Sequence, residues 1–200
     1  MQSFQQGSVL LISLICLLLL TLAGVSAMKL TSLDERMSGN YRDREMAFQS
    51  AEAALVEAEN FIESTPFTLS DFYDGCSGDN CFTNDCDGGT GGGLCFTGTF
   101  PSSSNPVNDC VLDGSRPWED WSRWDTATQV REATDLADIS AHAKYIIEFR
   151  CFIVRDPGNI EPDKNELAQW ALSFRITALS SGGTSDSRIM LQTTYKKLDY

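Results

Sequence analysis

Cysteine is the residue type with most chemistry to offer in this chain. Six of the seven, Cys76, Cys81, Cys86, Cys95, Cys110 and Cys151, lie in or beyond a stretch rich in Gly, Asp, Asn and Ser. Such a stretch shows little apolar periodicity, cannot build a core alone and needs covalent staples. An even number of cysteines in a loop-rich region predicts disulfides and an oxidising compartment. Many pairings are open to six cysteines. Local closure favours Cys76–Cys81 and Cys86–Cys95, which leaves Cys110–Cys151 to tie the loops to the first long strand. Zinc is the competing chemistry. Zinc sites favour Cys-x2-Cys or Cys with His, whereas the spacings here are x4, x4, x8 and x14 and the one histidine is His142. Cys16 falls in an apolar run and reads as a plain apolar residue.

Other chemistry is thinner. NDCDGG at 84–89 begins like a calcium loop, but an EF-hand starting at Asp85 requires Glu at position 96, which is Phe96. A calcium site of another kind needs only converging oxygens and stays open. His142 has no Ser or Cys partner at a recognisable spacing, and Asp113 and Asp120 have no stronger claim than the other carboxylates, so no catalytic site and no cofactor are expected. The formal net charge is −13. Phosphate contacts need clustered Lys and Arg, so direct binding of nucleic acid is not expected. Residues 64–142 hold only Arg116, Arg123 and Arg131 as cations, which reads as a solvated acidic surface.

The elements that carry these residues begin with residues 8–28, SVLLISLICLLLLTLAGVSAM, which contain no charge. At about 1.5 Å per residue they match one bilayer crossing of about 30 Å. Polar sequence follows, yet the helical pattern continues. Apolar or small residues recur at 30, 33, 37, 41, 48, 51, 55, 58 and 62, with Arg44 in the missing register position. No proline occurs before Pro66, and the residue before a proline avoids the α region. One helix over residues 8–63, roughly 80 Å long, is predicted. Gly24 and Gly39 are its weak points.

Beyond 143 the pattern changes to period two. KYIIEFRCFIV (144–154) is rich in β-branched and aromatic residues. WALSFRITAL places Trp170, Leu172, Phe174, Ile176 and Ala178 on one face, and RIMLQTTYKKL groups Ile189, Leu191, Thr193 and Tyr195. These read as an antiparallel meander whose inner face needs a cover. The helix stripe at Phe48, Ala51, Leu55, Ala58 and Ile62 is the available partner. Within the loops, a short strand is expected at Leu94–Phe96. A short helix capped by Ser115 is expected to carry Trp118, Trp121 and Trp124 into the core. The fold class is α+β. The chain divides into a leader (1–7), a membrane-spanning helix (8–28), its continuation (29–63), a Cys/Gly/Asp-rich loop region (64–142) and a sheet (143–200).

Val25-Ser26-Ala27 would serve as a signal-peptide cleavage site, but no basic residue precedes the apolar run and the helix register continues through the cut. The missing basic residues also leave the positive-inside rule little to act on. A short leader ending in Gly7, an apolar helix and a helix-plus-sheet head resemble type IV pilins. GSVLLISLICLLLLTLAGVSAM (7–28), TSLDERMSGNYRDREMAFQSAEAAL (31–55), YIIE (145–148) and FRITALSSGG (174–183) resemble PilX-type minor pilins of bacterial type IV pili.

The resemblance implies a type IV pilin-like fold, its long helix packed by its second half on the antiparallel sheet, with disulfide-rich loops. It implies cleavage between Gly7 and Ser8 by a prepilin peptidase and N-methylation of Ser8. It implies a single inner-membrane pass with a periplasmic head before incorporation into an extracellular fibre. The implied partners are other minor pilins and the major pilin through the N-terminal helix, and a tip adhesin. Most pilins carry Glu at the fifth mature position, where it pairs with a neighbour's amine; here that residue is Ile12. A carboxylate in hydrocarbon is expensive unless paired, so Ile12 fits a subunit with none ahead of it. The implied function is priming of pilus assembly near the tip, in support of twitching motility and adhesion. A type II secretion pseudopilin is the alternative within the class. A calcium-binding or adhesive domain with a cleaved signal peptide is the alternative outside it.

Overall fold

The computed structural model describes residues 6–101, 106–107, 110, 116–134, 142–184 and 186–198. Helix α1 spans Gln6–Ser64. It stops two residues short of Pro66, where Thr65 donates its backbone N–H to the Phe61 carbonyl at 3.0 Å. The chain separates into two units at Arg42–Asp43. The first contains the N-terminal part of α1, with its large apolar side chains exposed from Val9 to Tyr41.

The second unit is a mixed sheet covered by the C-terminal part of α1. Its strands are β1 (Leu94–Phe96), β2 (Arg131–Glu132), β3 (Ala143–Val154), β4 (Trp170–Ser181) and β5 (Arg188–Lys197), with a one-turn helix α2 (Trp121–Trp124) before β2. The strand order is β1-β3-β4-β5, and β2 also pairs with β3. β3, β4 and β5 form the antiparallel meander that the period-two pattern predicts. β1 lies where expected, but it pairs parallel to β3, so the sheet is mixed rather than antiparallel throughout. A bulge between Phe149 and Cys151 shifts the register of β3, which lets Phe149 and Phe152 both enter the core.

The inner faces of β4 and β5 carry the expected residues. Trp170, Leu172, Phe174, Ile176 and Ala178 are buried in the main core, and Ile189, Leu191 and Tyr195 pack at its edge. The loop region contributes more than its composition suggests. Phe67, Phe72, Phe82 and Phe96 are buried against Phe149 and Phe174, and the Phe72 and Phe149 ring centroids lie 4.1 Å apart. The cysteines pair as Cys76–Cys81, Cys86–Cys95 and Cys110–Cys151. These staples hold loops with scattered aromatic residues close enough to the sheet to bury them.

Gly92 in the GTGGG segment has φ +66°, and a Cβ there would overlap the Thr128 carbonyl. Only glycine lets the loop pass this close to its neighbour.

Candidate functional site

The first candidate surface is the apolar stem. Val9, Leu10, Leu11 and Ile12 are all at least 60% exposed, and no Asp, Glu, Lys or Arg occurs from Ser8 to Met28. The helix is long and apolar enough to cross a membrane. Three of its hydroxyls bond back to the helix itself. Ser13 donates to Leu10 O at 2.9 Å, Thr21 to Leu18 O at 2.8 Å and Ser26 to Leu22 O at 2.9 Å. Back-bonding satisfies these three donors in hydrocarbon. Cys16 is a free, exposed thiol on this surface. Gly7 and Ser8 fall within the helix bounds.

In the second unit the buried helix face is turned from the expected one. Ala47, Ser50, Ala51, Ala54, Ala58 and Ile62 are buried. Phe48 is 37% exposed and lies outside the core; Leu55 packs at the edge. Ala51, Ala58 and Ile62 belong to both sets, but Phe48 does not face the sheet. The physical reason is space. The sheet and loops already supply bulky Phe, Ile and Leu side chains, so the helix presents its alanines and approaches closely.

Polar contacts fix that approach at several points. Asp43 accepts from the Thr184 hydroxyl at 2.5 Å and the Thr184 N–H at 3.1 Å; the hydroxyl bond is the main cause of the lowered Asp43 pKa. Glu57 accepts from the Thr134 N–H at 2.8 Å and from the Tyr145 hydroxyl at 3.4 Å. Burial, reinforced by the Glu57 charge, pushes the Tyr145 pKa up to about 12. Tyr195 donates to Glu63 at 2.7 Å, and this bond is the first cause of its rise to about 12. Lys197, 6% exposed, donates to the carbonyls of Ile62, Glu63 and Thr65 at 2.7, 3.0 and 2.6 Å. A cation is favourable at a helix C-terminus, whose carbonyls lack partners. Lys197 continues the inward set 189, 191, 193 and 195 by period two, so its position in the pattern signalled burial.

The outer sheet face holds a second ionic group. Glu148 has a side chain 1% exposed and pairs with Arg175 at 2.6 Å and Arg150 at 2.8 Å. Thr97 donates to it at 2.7 Å. The Arg175 guanidinium lies 3.7 Å from the ring centroid of Trp118. The buried carboxylate is therefore paired and hydrogen-bonded, as burial requires.

The tryptophans do not form one buried stripe. Trp124 is 2% exposed and Trp121 is 54% exposed, while Trp118 is half-buried under Arg175. Asp120, not Ser115, caps α2, accepting from Ser122 N at 3.0 Å. Ser115 and Asp113 lie outside the described residues. A short 3-10 turn at Pro117–Glu119 precedes α2 and breaks the helical spacing that would have aligned all three rings.

In the NDCDGG segment the Asp87 carboxylate serves local structure, accepting from the Thr83 hydroxyl at 2.8 Å, and the Asp85 backbone carbonyl accepts from Arg123. Among the described residues no group of three or more His, Cys, Asp or Glu could hold a metal ion. His142 is exposed before β3, and its carbonyl accepts from the Ser181 N–H at 3.3 Å.

Comparison with known families gives two matches. A family model described as PilX N-terminal matches residues 6–56. A second, described as type IV pilus assembly protein PilX C-term, matches residues 75–197. No curated protein and no solved structure matches the chain.

Proposed function

The chain belongs to the PilX family of type IV pilus assembly proteins, and within that family we propose that it primes fibre assembly from a position near the tip. The observation that carries this reading is Ile12. It stands in a stretch with no Asp, Glu, Lys, Arg or His from Ser8 to Met28. A subunit inside the fibre gains from a carboxylate paired with its neighbour's amine, and an unpaired one in hydrocarbon is costly. A leading subunit has no such neighbour and loses nothing with Ile there. The exposed apolar stem supplies the bundling surface, because an apolar face of this extent needs lipid or other helices. The disulfide-braced, acidic head suits the oxidising exterior.

Before assembly the stem anchors the chain in the inner membrane, with the head in the periplasm. A prepilin peptidase cuts between Gly7 and Ser8, where the missing side chain lets the protease reach the backbone. Other minor pilins and the major pilin meet the mature stem, and a tip adhesin is the remaining partner.

Deleting the gene tests this reading. The expected result is fewer surface pili and weaker pilus-driven motility at an unchanged major-pilin level. Complementation with Ile12→Glu is expected to match or fall slightly below the wild type. Improved assembly with that variant, or normal piliation without the gene, contradicts the priming role.

A further inference from the structure

We propose that the groove formed by Lys29, Ser32, Leu33 and Arg36, just past the charge-free stretch, holds the phosphate headgroup of an anionic phospholipid. The inference rests on the reading that the stem spans a membrane before assembly. The four residues line a shallow groove of about 280 Å³, and all four are exposed. Their spacing of i, i+3, i+4 and i+7 puts them on one face of α1.

Two features select the ligand. The first is a set of donors that the protein leaves open. Among the described residues, neither Lys29 nor Arg36 has an ion pair or a hydrogen bond. Thr31 donates to Ala27 O at 3.1 Å, whereas the adjacent Ser32 hydroxyl has no partner among the described residues. Two cations and a hydroxyl on one face suit the oxygens of a phosphodiester. The nearby acids do not share that face. Asp34 and Glu35 lie at least about 100° around the helix from both cations, at 3.6 residues per turn.

The second feature is depth. Met28 closes the charge-free stretch, so Lys29 stands at its outer end, where a long cationic side chain extends to the headgroups. Arg36 lies about 10 Å further along the axis. Helix side chains lean towards the N-terminus, which aims Arg36 back towards the bilayer surface. The headgroup layer is about 5–8 Å thick, within reach of both. Below the groove, Leu18, Leu22 and Val25 continue the same face and are 56%, 59% and 54% exposed. They offer an acyl chain an apolar track, which favours a lipid over free phosphate. The cations favour a lipid whose phosphate is not balanced by an ammonium.

Native mass spectrometry of the full chain in nanodiscs of equal phosphatidylglycerol and phosphatidylethanolamine tests the assignment. Flotation with vesicles of the same lipids first checks insertion. A chain that does not float overturns the membrane reading and the site with it; a chain that floats without lipid preference overturns the site alone. Phosphatidylglycerol adducts are expected to outnumber phosphatidylethanolamine adducts about tenfold. Lys29→Gln and Arg36→Gln should each lower that ratio about threefold. Arg42→Gln, the same charge change beyond the groove, should leave it unchanged. Glycerol 3-phosphate at about 10 mM should not displace the lipid. The lipid comparison needs no variant and stands whatever a substitution does. Two further results overturn the proposal. Displacement by glycerol phosphate would mark a site for free phosphate. A lipid-free dimer lost on the same substitutions would assign the groove to the acids of a second copy.

Discussion

The ammonium of Lys197 lies 2.7 Å from the carbonyl oxygen of Ile62, inside the head and at the end of the long helix. The last strand thereby closes the C-terminus of the helix. Replacing Lys197 by Met keeps the apolar stem of the side chain but leaves the Ile62, Glu63 and Thr65 carbonyls without this donor. The expected loss is roughly 2–4 kcal/mol of head stability, from the value of charged hydrogen bonds and the penalty for unsatisfied acceptors. Thermal melting of the head, followed by near-ultraviolet circular dichroism, measures it. An unchanged melt would show that water replaces the ammonium.

The alanine face of the helix sets a different expectation. Ala54 is fully buried, and Ala54→Leu should overpack the contact and cost about 1–3 kcal/mol. Ile62→Ala should open a cavity and cost about 2–5 kcal/mol. Phe48→Ala, on the exposed side, should stay within about 0.5 kcal/mol. Denaturant melts of the three variants give the ranking, and a large loss at Phe48 would contradict the observed register.

Alkaline pH should loosen the head in a defined window. Tyr145 and Tyr195 both have pKa values raised from 10.0 to about 12. Their folded forms hold the proton more tightly than the unfolded chain does. The associated stability is complete below pH 10 and declines as pH rises towards 12. Spectrophotometric titration of tyrosinate in the folded head should show two late-ionising phenols. Removing one with Tyr145→Phe should reduce the pH dependence of stability across that window.

The disulfides should be both complete and necessary. Denatured, unreduced protein is expected to show one reactive thiol, Cys16, because the other six are paired. In the chain-entropy model each bridge contributes on the order of 2–4 kcal/mol. Reduction should therefore release the loops that bring Phe72 and Phe82 to the sheet, and the dye ANS should then bind. Two or more further reactive thiols before reduction would contradict the pairing.

The meander and the helix end could be read from the sequence because each rests on a strong local signal. Alternation over Trp170–Ala178 and Ile189–Tyr195 set the strand faces, and Pro66 set the helix boundary. The helix face was harder. A stripe through Phe48 and Leu55 and a stripe through Ala47, Ala54 and Ala58 both have helical spacing. Hydrophobicity favours the first, but the depth of the sheet's own side chains favours the second, and only the tertiary packing reveals that depth. The loop phenylalanines escaped for a related reason. Phe72 and Phe82 have no periodicity, and their burial depends on where the disulfides hold the chain. The 3-10 turn at Pro117–Glu119, which leaves Trp121 exposed and Trp124 buried, is concealed by the regular spacing of the three tryptophans.

The most direct test of a priming subunit near the tip is its copy number per fibre as fibre length changes. Quantitative mass spectrometry of sheared pili, sorted by mean length in electron micrographs, gives that number. The account predicts a small copy number that stays constant as fibres lengthen, with the major pilin growing in proportion. A copy number that scales with length would place the subunit along the shaft and contradict the account.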